Sequence, residues 1–231
     1  MNLASTVGNW GNINNIVGYS AFELVETSML KDAHGNVVFN SSNGLPVQAP
    51  LHPVGKTVAP VTMGLTNTFR YKRFSLDVLL DGKFGNKVFS IAEVYETRLG
   101  LLKTTLPGRA NGLTVTGVDQ TGKPYTETIP VSGLRTYYDN YKNYGDLFLH
   151  DGSFVKLRQV LLSYSIPVNN LKLFKIQSLN LSLVARNLAI LYKKTDGFDP
   201  EESYSNSNYQ GFESIQLPRT RSFGLNLSVK F

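Results

Sequence analysis

The sequence predicts an all-β protein whose strands form part of an antiparallel transmembrane β-barrel. Several segments alternate apolar and polar side chains with a period of two, the pattern of strands that have one apolar face. These segments run about ten residues, the length that crosses a bilayer at a tilt. The connections between them alternate between long and short, as extracellular loops and periplasmic turns do in outer-membrane barrels.

The first two predicted strands form a β-hairpin within "VTMGLTNTFRYKRFSLDVLLDGKFG". A tight turn at Lys72-Arg73 separates them. Apolar side chains occupy alternate positions on both sides of this turn: Leu65, Phe69, Tyr71, Phe74, Leu76, Val78 and Leu80. The positions between them are mainly polar, so we expect one lipid-facing and one lumen-facing surface.

Three further strands follow the same pattern. In "FVKLRQVLLSYSIP" the apolar face carries Val160, Leu162, Tyr164 and Ile166, and in "SLNLSLVARNLAIL" it carries Leu179, Leu181 and Leu183. The last strand, "SFGLNLSVKF", has its apolar side chains on odd positions: Phe223, Leu225, Leu227, Val229 and Phe231. Polar residues of the opposite face are candidates to line a permeation path or a plain hydrated lumen: Asp77, Asp81, Asn180 and Arg186.

The connections and the first quarter of the chain are less regular. Long connections are predicted over residues 86–152 and 192–217, and a shorter one over residues 167–177. "GYSAFELVETSML" and "GNVVFN" are expected to be two further strands around a "KDAHGN" turn. Residues 41–60 are rich in proline and glycine and are predicted to be loop, and no amphipathic helix longer than a turn or two is expected.

Composition excludes several classes of protein. Charged residues make up 17% of the chain, and its formal charge of +6 is scattered without a basic run, which argues against nucleic-acid binding. The absence of cysteine excludes disulfides and thiolate metal sites. No apolar run of about 18 residues is present, so no transmembrane helix is expected. The start "MNLASTVGNWGN" lacks the pattern of a signal peptide, so either the protein is cytoplasmic or these residues are not the true beginning of the gene product.

No catalytic constellation or cofactor loop can be placed, and the sequence therefore predicts neither an enzyme nor a cofactor. His34, His52 and His150 lie far apart and are interpreted as loop residues rather than metal ligands. The acidic segment "DGFDPEES" offers oxygen ligands for Ca²⁺, but its spacing matches no calcium-loop pattern. A solvated acidic loop is the favoured interpretation, and no metal is predicted.

The aromatic segment "LRTYYDNYKNYGDLFLHDG" is the candidate ligand- or lid-contacting site, through Tyr137, Tyr138, Tyr141 and Tyr144. Aromatic rings with polar tips are suited to stacking on sugars or to contacting a partner protein. A membrane-interface girdle and simple packing within the loop remain alternatives. Alternation alone also fits a soluble β-sandwich that binds carbohydrate, and this is the alternative function.

Four segments, in order along the chain, resemble the SusC/RagA family of TonB-dependent outer-membrane transporters. They are "GLTNTFRYKRFSLDVLLDGKFGNKVF", "HDGSFVKLRQVLLSYSIP", "LSLVARNLAILYKKTDGFDPE" and "LPRTRSFGLNLSVKF". A looser resemblance covers "DAHGNVVFNSSNGLP". The ordered combination is more specific than any one of these motifs.

The resemblance implies that residues 1–231 are the C-terminal part of a barrel domain of about 22 strands, without the plug domain. It further implies import of oligosaccharides or peptides across the bacterial outer membrane. The implied partners are the rest of the same barrel and its plug, a SusD-like lipoprotein lid, TonB through the absent N-terminal part, and membrane lipid or lipopolysaccharide. It also implies that the last strand, from Phe223 to a true C-terminus at Phe231, is a signal for barrel assembly.

Overall fold

The chain divides into two compact units, each built from three segments. The computed structural model describes residues 1–5, 11–168, 176–202, 207–217 and 219–231. Unit 1 comprises Met1–Val58, Asn86–Asp151 and Glu202–Gln216, and unit 2 comprises Ala59–Gly85, Gly152–Glu201 and Leu217–Phe231. The segments of the two units therefore interleave along the chain.

Strands dominate the described residues. They are β1 (Asn2–Ser5), β2 (Asn12–Asn14), β3 (Glu23–Glu26), β4 (Val38–Asn40), β5 (Leu45–Pro46), β6 (His52–Lys56), β7 (Val61–Tyr71), β8 (Phe74–Phe84), β9 (Lys87–Ser90), β10 (Leu113–Asp119), β11 (Pro124–Ile129), β12 (Leu149–Asp151), β13 (Phe154–Ile166), β14 (Ser178–Lys193), β15 (Phe212–Glu213) and β16 (Ser222–Lys230). The α-helices are α1 (Ile91–Leu99) and α2 (Leu134–Asp139). Short 3₁₀ helices span Lys103–Thr105, Val131–Gly133, Asn140–Asn143 and Gly145–Phe148.

Unit 2 is a five-stranded antiparallel sheet of long strands in the order β16-β14-β13-β8-β7. The predicted hairpin is confirmed, because Tyr71 pairs with Phe74 across the two-residue turn. Lys72 takes a positive φ of 53° in that turn. A bulge lies between Leu157 and Gln159 of β13, where its register shifts against both neighbouring strands.

The register of this sheet sorts its side chains into two faces. One row of directly paired residues is apolar across all five strands: Leu225, Leu183, Leu162, Leu76 and Phe69. The neighbouring row, on the other face, is polar: Asn226, Ser182, Ser163, Ser75 and Arg70. The predicted alternation is therefore confirmed strand by strand.

The apolar face of the sheet is exposed. Leu225 at one edge is 76% exposed, Leu183 is 47% exposed, and Phe69 in the strand at the other edge is 60% exposed. A soluble sandwich would bury one apolar face against a second sheet. The exposure of these side chains fits a sheet whose apolar face meets lipid, as in a barrel wall.

The long connections of unit 2 leave from one end of its sheet. The end of β8 pairs with the start of β13, and the end of β14 lies beside the same part of β13. The Lys72-Arg73 turn is at the opposite end, where the connection between β13 and β14 also lies. Residues 169–175 of that connection are outside the described residues.

Unit 1 is built from three small sheets, ordered β1-β2-β3-β6, β11-β10-β4-β5 and β12-β9-β15. Its interior is apolar in the manner of a water-soluble domain. One cluster of buried side chains combines Ile13, Leu24, Phe89, Val94, Phe148 and Phe212. A second combines Phe39, Val115, Ile129, Leu134, Tyr137 and Tyr138.

The expectation that no helix exceeds a turn or two was wrong for α1. Ser90 caps this helix, and its hydroxyl accepts a hydrogen bond of 3.1 Å from the backbone N–H of Glu93. Gly100 ends the helix in the left-handed conformation, at a φ of 73°. Among the described residues no helix is both long and apolar enough to cross a membrane.

The prediction of loop over residues 41–60 was also wrong in part. The short strand β5 pairs with β4, and β6 pairs with β3, because the tertiary pairing overrides the proline and glycine content. The "KDAHGN" turn is confirmed by an antiparallel bridge between Lys31 and Val37. The two strands expected around it, β3 and β4, belong to different sheets of unit 1.

Candidate functional site

The polar face of the unit 2 sheet carries several side-chain hydrogen bonds between neighbouring strands. The hydroxyls of Ser163 and Ser182 lie 2.9 Å apart. The Ser165 hydroxyl donates to the Asn180 side-chain oxygen at 2.7 Å. The Thr68 hydroxyl donates to Asp77, and the register places Asp81 and Arg186 on this same face. The candidate lumen residues therefore share one face, and their contact with a permeating solute stays a prediction.

An ion-pair network holds the acidic segment after β14. The Lys156 ammonium donates to Asp199 Oδ2 at 2.7 Å and to Glu201 Oε2 at 2.8 Å. Arg158 donates through Nε to Asp81 Oδ2 at 2.7 Å and through Nη2 to Glu201. The side chains of Lys156 and Glu201 are nearly buried. The network therefore ties the "DGFDPE" segment to strands β8 and β13.

This network corrects the interpretation of "DGFDPEES" as a solvated acidic loop. Asp199 and Glu201 are neutralised by two cations of β13, more than 40 residues earlier in the chain. Burial raises the pKa of Glu201, but hydrogen bonds from Arg158 and Lys156 outweigh it and lower the value to about 2. Within the described residues, no group of three or more His, Cys, Asp or Glu side chains is arranged to hold a metal ion.

The four candidate tyrosines form one aromatic cluster in unit 1. Tyr141 lies at its centre, with ring centroids 5.4 Å from Tyr137, 5.3 Å from Tyr138 and 6.3 Å from Tyr144. Tyr137, Tyr138 and Tyr144 are buried, and Tyr141 is partly exposed. The rings contact each other edge to face, which is the packing that aromatic pairs prefer.

Two of the tyrosine hydroxyls are bonded to backbone. The Tyr144 hydroxyl donates to the Pro46 carbonyl at 2.6 Å, and the Tyr138 hydroxyl donates to the Pro107 carbonyl at 3.1 Å. Burial raises the pKa of Tyr144 to about 12, so its hydroxyl stays protonated. The contact of these tyrosines with a ligand or lid stays a prediction, and Tyr141 has the most accessible ring of the four.

The candidate assembly strand β16 lies at one edge of the unit 2 sheet. It pairs with β14 from Ser222 to Lys230, and Phe231 follows the last paired residue. Its odd side chains are exposed on the apolar face. On its other side β16 has no partner strand among the described residues.

Sequence reasoning missed a buried carboxyl in unit 1. Glu26 of β3 is 1% exposed, and its Oε1 accepts a 3.2 Å hydrogen bond from the backbone N–H of Asn12. Burial, with a smaller contribution from Asp146, raises the pKa of Glu26 to about 9. No local pattern marks this residue, because its burial depends on strand pairing.

The candidate histidines do not come together. His150 Nε2 lies 2.7 Å from Glu93 Oε2, and His52 Nδ1 lies 3.1 Å from the Pro50 carbonyl. His34 is exposed in the turn between Lys31 and Val37. The interpretation as loop residues was therefore wrong for His52, which begins β6, and for His150, which lies in β12, whereas His34 does lie in a turn.

Comparison with known proteins identifies relatives of this chain. No family model matches. TonB-dependent receptor P3 of Formosa agariphila is 26% identical over 185 residues, which cover 77% of this chain and 17% of that receptor. TonB-dependent receptor P39 of the same organism is 24% identical and covers 85% of this chain and 19% of the receptor. The chain thus spans about a fifth of the length of these relatives.

Solved structures share the fold. The RagAB peptide transporter aligns with a TM-score of 0.54 and 17% identity, over 99% of this chain and 24% of the transporter chain. The RagAB peptide importer in its closed-closed state aligns with the same TM-score and 19% identity. The chain therefore shares its fold with part of the RagAB transporter chain, and its five-stranded sheet is not closed into a barrel among the described residues.

Proposed function

Because this chain is related to TonB-dependent receptors of the SusC/RagA type, we propose that it forms barrel wall and extracellular loops of a TonB-dependent importer. One observation carries the proposal. Five long strands present one exposed apolar face and one hydrogen-bonded polar face, which is the construction of a wall between lipid and water.

Uptake by intact cells tests this function. We expect cells that carry the complete receptor containing this chain to accumulate a labelled oligosaccharide or peptide, and to lose that uptake when TonB is deleted. Cells without the receptor serve as the control. Uptake that continues unchanged without TonB contradicts an energised importer.

We also propose that residues 1–231 are the C-terminal part of the barrel domain and depend on the rest of it. The outer edges of β7 and β16 have no partner strand among the described residues. An open sheet edge in lipid leaves backbone groups unpaired, at several kcal/mol each. Residues 1–231 expressed alone should therefore not yield a monodisperse monomer, and obtaining one contradicts this proposal.

A SusD-like lipoprotein is the proposed partner on the extracellular side. The proposal is supported by the likeness of the chain to RagAB and by the partly exposed ring of Tyr141, which suits either a sugar or a protein surface. We expect a lipoprotein to copurify with the receptor in mild detergent. Tyr141→Ala should weaken ligand or lid binding more than Tyr19→Ala, an exposed tyrosine outside the cluster.

The strand β16 is the proposed signal for barrel assembly, through Phe223, Leu225, Leu227, Val229 and Phe231. Deleting Phe231 from the complete receptor should lower its amount in the outer membrane. Deletion of Thr121 in the exposed turn between β10 and β11 is the control. Equal surface levels of the two variants contradict an assembly role for Phe231.

A further inference from the structure

Unit 1 contains a cleft of about 270 Å³ between the end of α1, the 3₁₀ helix Lys103–Thr105 and the start of α2. Three arginines line it: Arg98, Arg109 and Arg135. Leu99 and Tyr138 contribute an apolar and an aromatic part of the wall. No acidic side chain belongs to the lining, so the cleft carries an excess of positive charge.

Two of the arginines have N–H groups to spare. Arg109 uses Nε and Nη2 to bond Thr105 and the Gly100 carbonyl at the end of α1, which holds its guanidinium in place. Its Nη1 makes no hydrogen bond to any residue that the structure describes. The exposed guanidinium of Arg135 likewise makes none within the described part of the chain.

The carboxylate that pairs with Arg98 is already shared with a second cation. Asp139 accepts from Arg98 Nε at 2.6 Å and from the Lys142 ammonium at 2.7 Å. One negative charge therefore serves two cations, and the charges of Arg109 and Arg135 are left without an acidic partner among the residues lining the cleft. Such a surplus attracts an anion from solution.

We propose that this cleft binds a carboxylate group of a small ligand, held by Arg135 and Arg109. The planar fork of a guanidinium matches the two oxygens of a carboxylate. A volume of about 270 Å³ lies just below the usual range for ligand sites and suits a single sugar or amino-acid unit. The inference rests on the proposed importer function, since the carboxylate would belong to an acidic oligosaccharide or peptide.

Calorimetric titration of the complete receptor in detergent tests the cleft. The probes are a trigalacturonate, the same trisaccharide with its carboxylates methyl-esterified, and a tripeptide ending in glutamate. The test variant is Arg135→Gln, which removes a side chain that makes no hydrogen bond within the described residues. Lys123→Gln is the control, because it removes one positive charge from an exposed turn of unit 1 outside the cleft.

We expect Arg135→Gln to weaken binding of an acidic probe about tenfold and Lys123→Gln to leave it unchanged. Arg135→Lys should recover only part of the affinity, since a point charge lacks the fork. The acidic probe that shows this loss identifies whether a sugar or a peptide carries the carboxylate. The esterified trisaccharide should bind the wild type and Arg135→Gln alike.

The proposed carboxylate site is wrong if wild type and Arg135→Gln bind both acidic probes with equal affinity. It is also wrong if neither acidic probe binds the wild type. TonB-dependent uptake is measured separately with the same variants. If TonB-dependent uptake persists while the two affinities are equal, the proposed importer function is retained and only the proposed carboxylate site is rejected.

Discussion

The same side chain meets opposite surroundings in the two units. The ring of Phe89 in unit 1 is fully buried against Phe148 and Phe212, whereas the ring of Phe69 in unit 2 is 60% exposed. Unit 1 places its apolar side chains inside, as a domain in water does. Unit 2 places them outside and its serines, charges and amides on the other face. The contrast shows that the surrounding medium, and not the composition of a strand, decides on which face apolar side chains stabilise the fold.

The largest expected effect tests that contrast with one substitution in each unit. Phe89→Ala should cost about 3–5 kcal/mol, because it leaves a cavity in a packed core. Phe69→Ala should cost less, about 1–2 kcal/mol, because the ring is transferred from water to detergent on folding but its removal leaves no cavity in a protein core. Denaturant titration of the complete receptor in detergent measures both free energies of unfolding. Equal losses would mean that the face carrying Phe69 is packed by protein.

The polar face of unit 2 should depend on its ion pairs. Lys156→Met should cost about 3 kcal/mol, because it leaves Asp199 and Glu201 without the ammonium that neutralises them. Lys83→Met is the matched control. Its ammonium lies 3.8 Å from Glu201 on a side chain that is 44% exposed, so the loss should stay below about 1 kcal/mol. Similar losses in both variants would show that burial adds nothing to this network.

Acid should release the same segment. The pKa of Glu201 is about 2 in the folded chain and 4.5 as the unperturbed value. Its contribution to stability is therefore present above pH 4.5 and is lost as the pH falls towards 2. Protease cleavage near Asp199 should rise across that range, and Glu201→Gln should remove the rise. Cleavage that increases equally in Glu201→Gln contradicts this assignment.

A charge on the apolar face should be more harmful than the same charge one residue later. Leu65 lies on the apolar face near the middle of β7, and Thr66 lies on the polar face. Leu65→Arg should cost about 2–4 kcal/mol in lipid vesicles, while Thr66→Arg should cost little. Folding in vesicles, followed by the mobility shift of unheated samples, measures the difference. Equal folding of both variants would place both faces in water.

The smallest expected effect is a gain in stability from a substitution in unit 1. Glu26 has a pKa of about 9 when folded and 4.5 as its unperturbed value, so its ionisation opposes folding as the pH rises between these values. Glu26→Gln keeps an oxygen acceptor for the Asn12 N–H and should stabilise the protein by about 1–3 kcal/mol at pH 8. Thermal unfolding at pH 8 and pH 4 measures it, and a gain that persists at pH 4 contradicts the titration of Glu26.

The sequence was sufficient to predict the strands of unit 2, but it was insufficient to predict much of the structure of unit 1. The period-two pattern and the Lys72-Arg73 turn specify the long strands and their faces, because each strand has a single buried or lipid-facing side. Helix α1 carried a readable signal, with Ser90 three residues before Glu93 and Gly100 at its end. The helix was nevertheless not predicted, because the apolar periodicity of its residues is weak.

The rest depends on contacts between residues distant in the chain. The pairing of Lys156 with Asp199 joins residues 43 positions apart, and the burial of Tyr137 depends on strands that precede it. The donors of the arginine cleft come from α1, from the turn that holds Arg109 and from α2. Composition and local spacing contain no information on such contacts, so the candidate site was predictable by residue type and not by partner.

The long connections all leave the unit 2 sheet at the same end, and this has a consequence for how such a receptor can evolve. The paired row from Leu225 to Phe69 fixes the register of the wall within unit 2 alone. Loop insertions cost little, since closure entropy grows only slowly with length. Insertions and deletions in the three segments of unit 1 therefore leave every wall strand in register. In the proposed importer, ligand specificity can therefore diversify in unit 1 by changes in length as well as by substitution, while the apolar face of unit 2 is inherited unchanged.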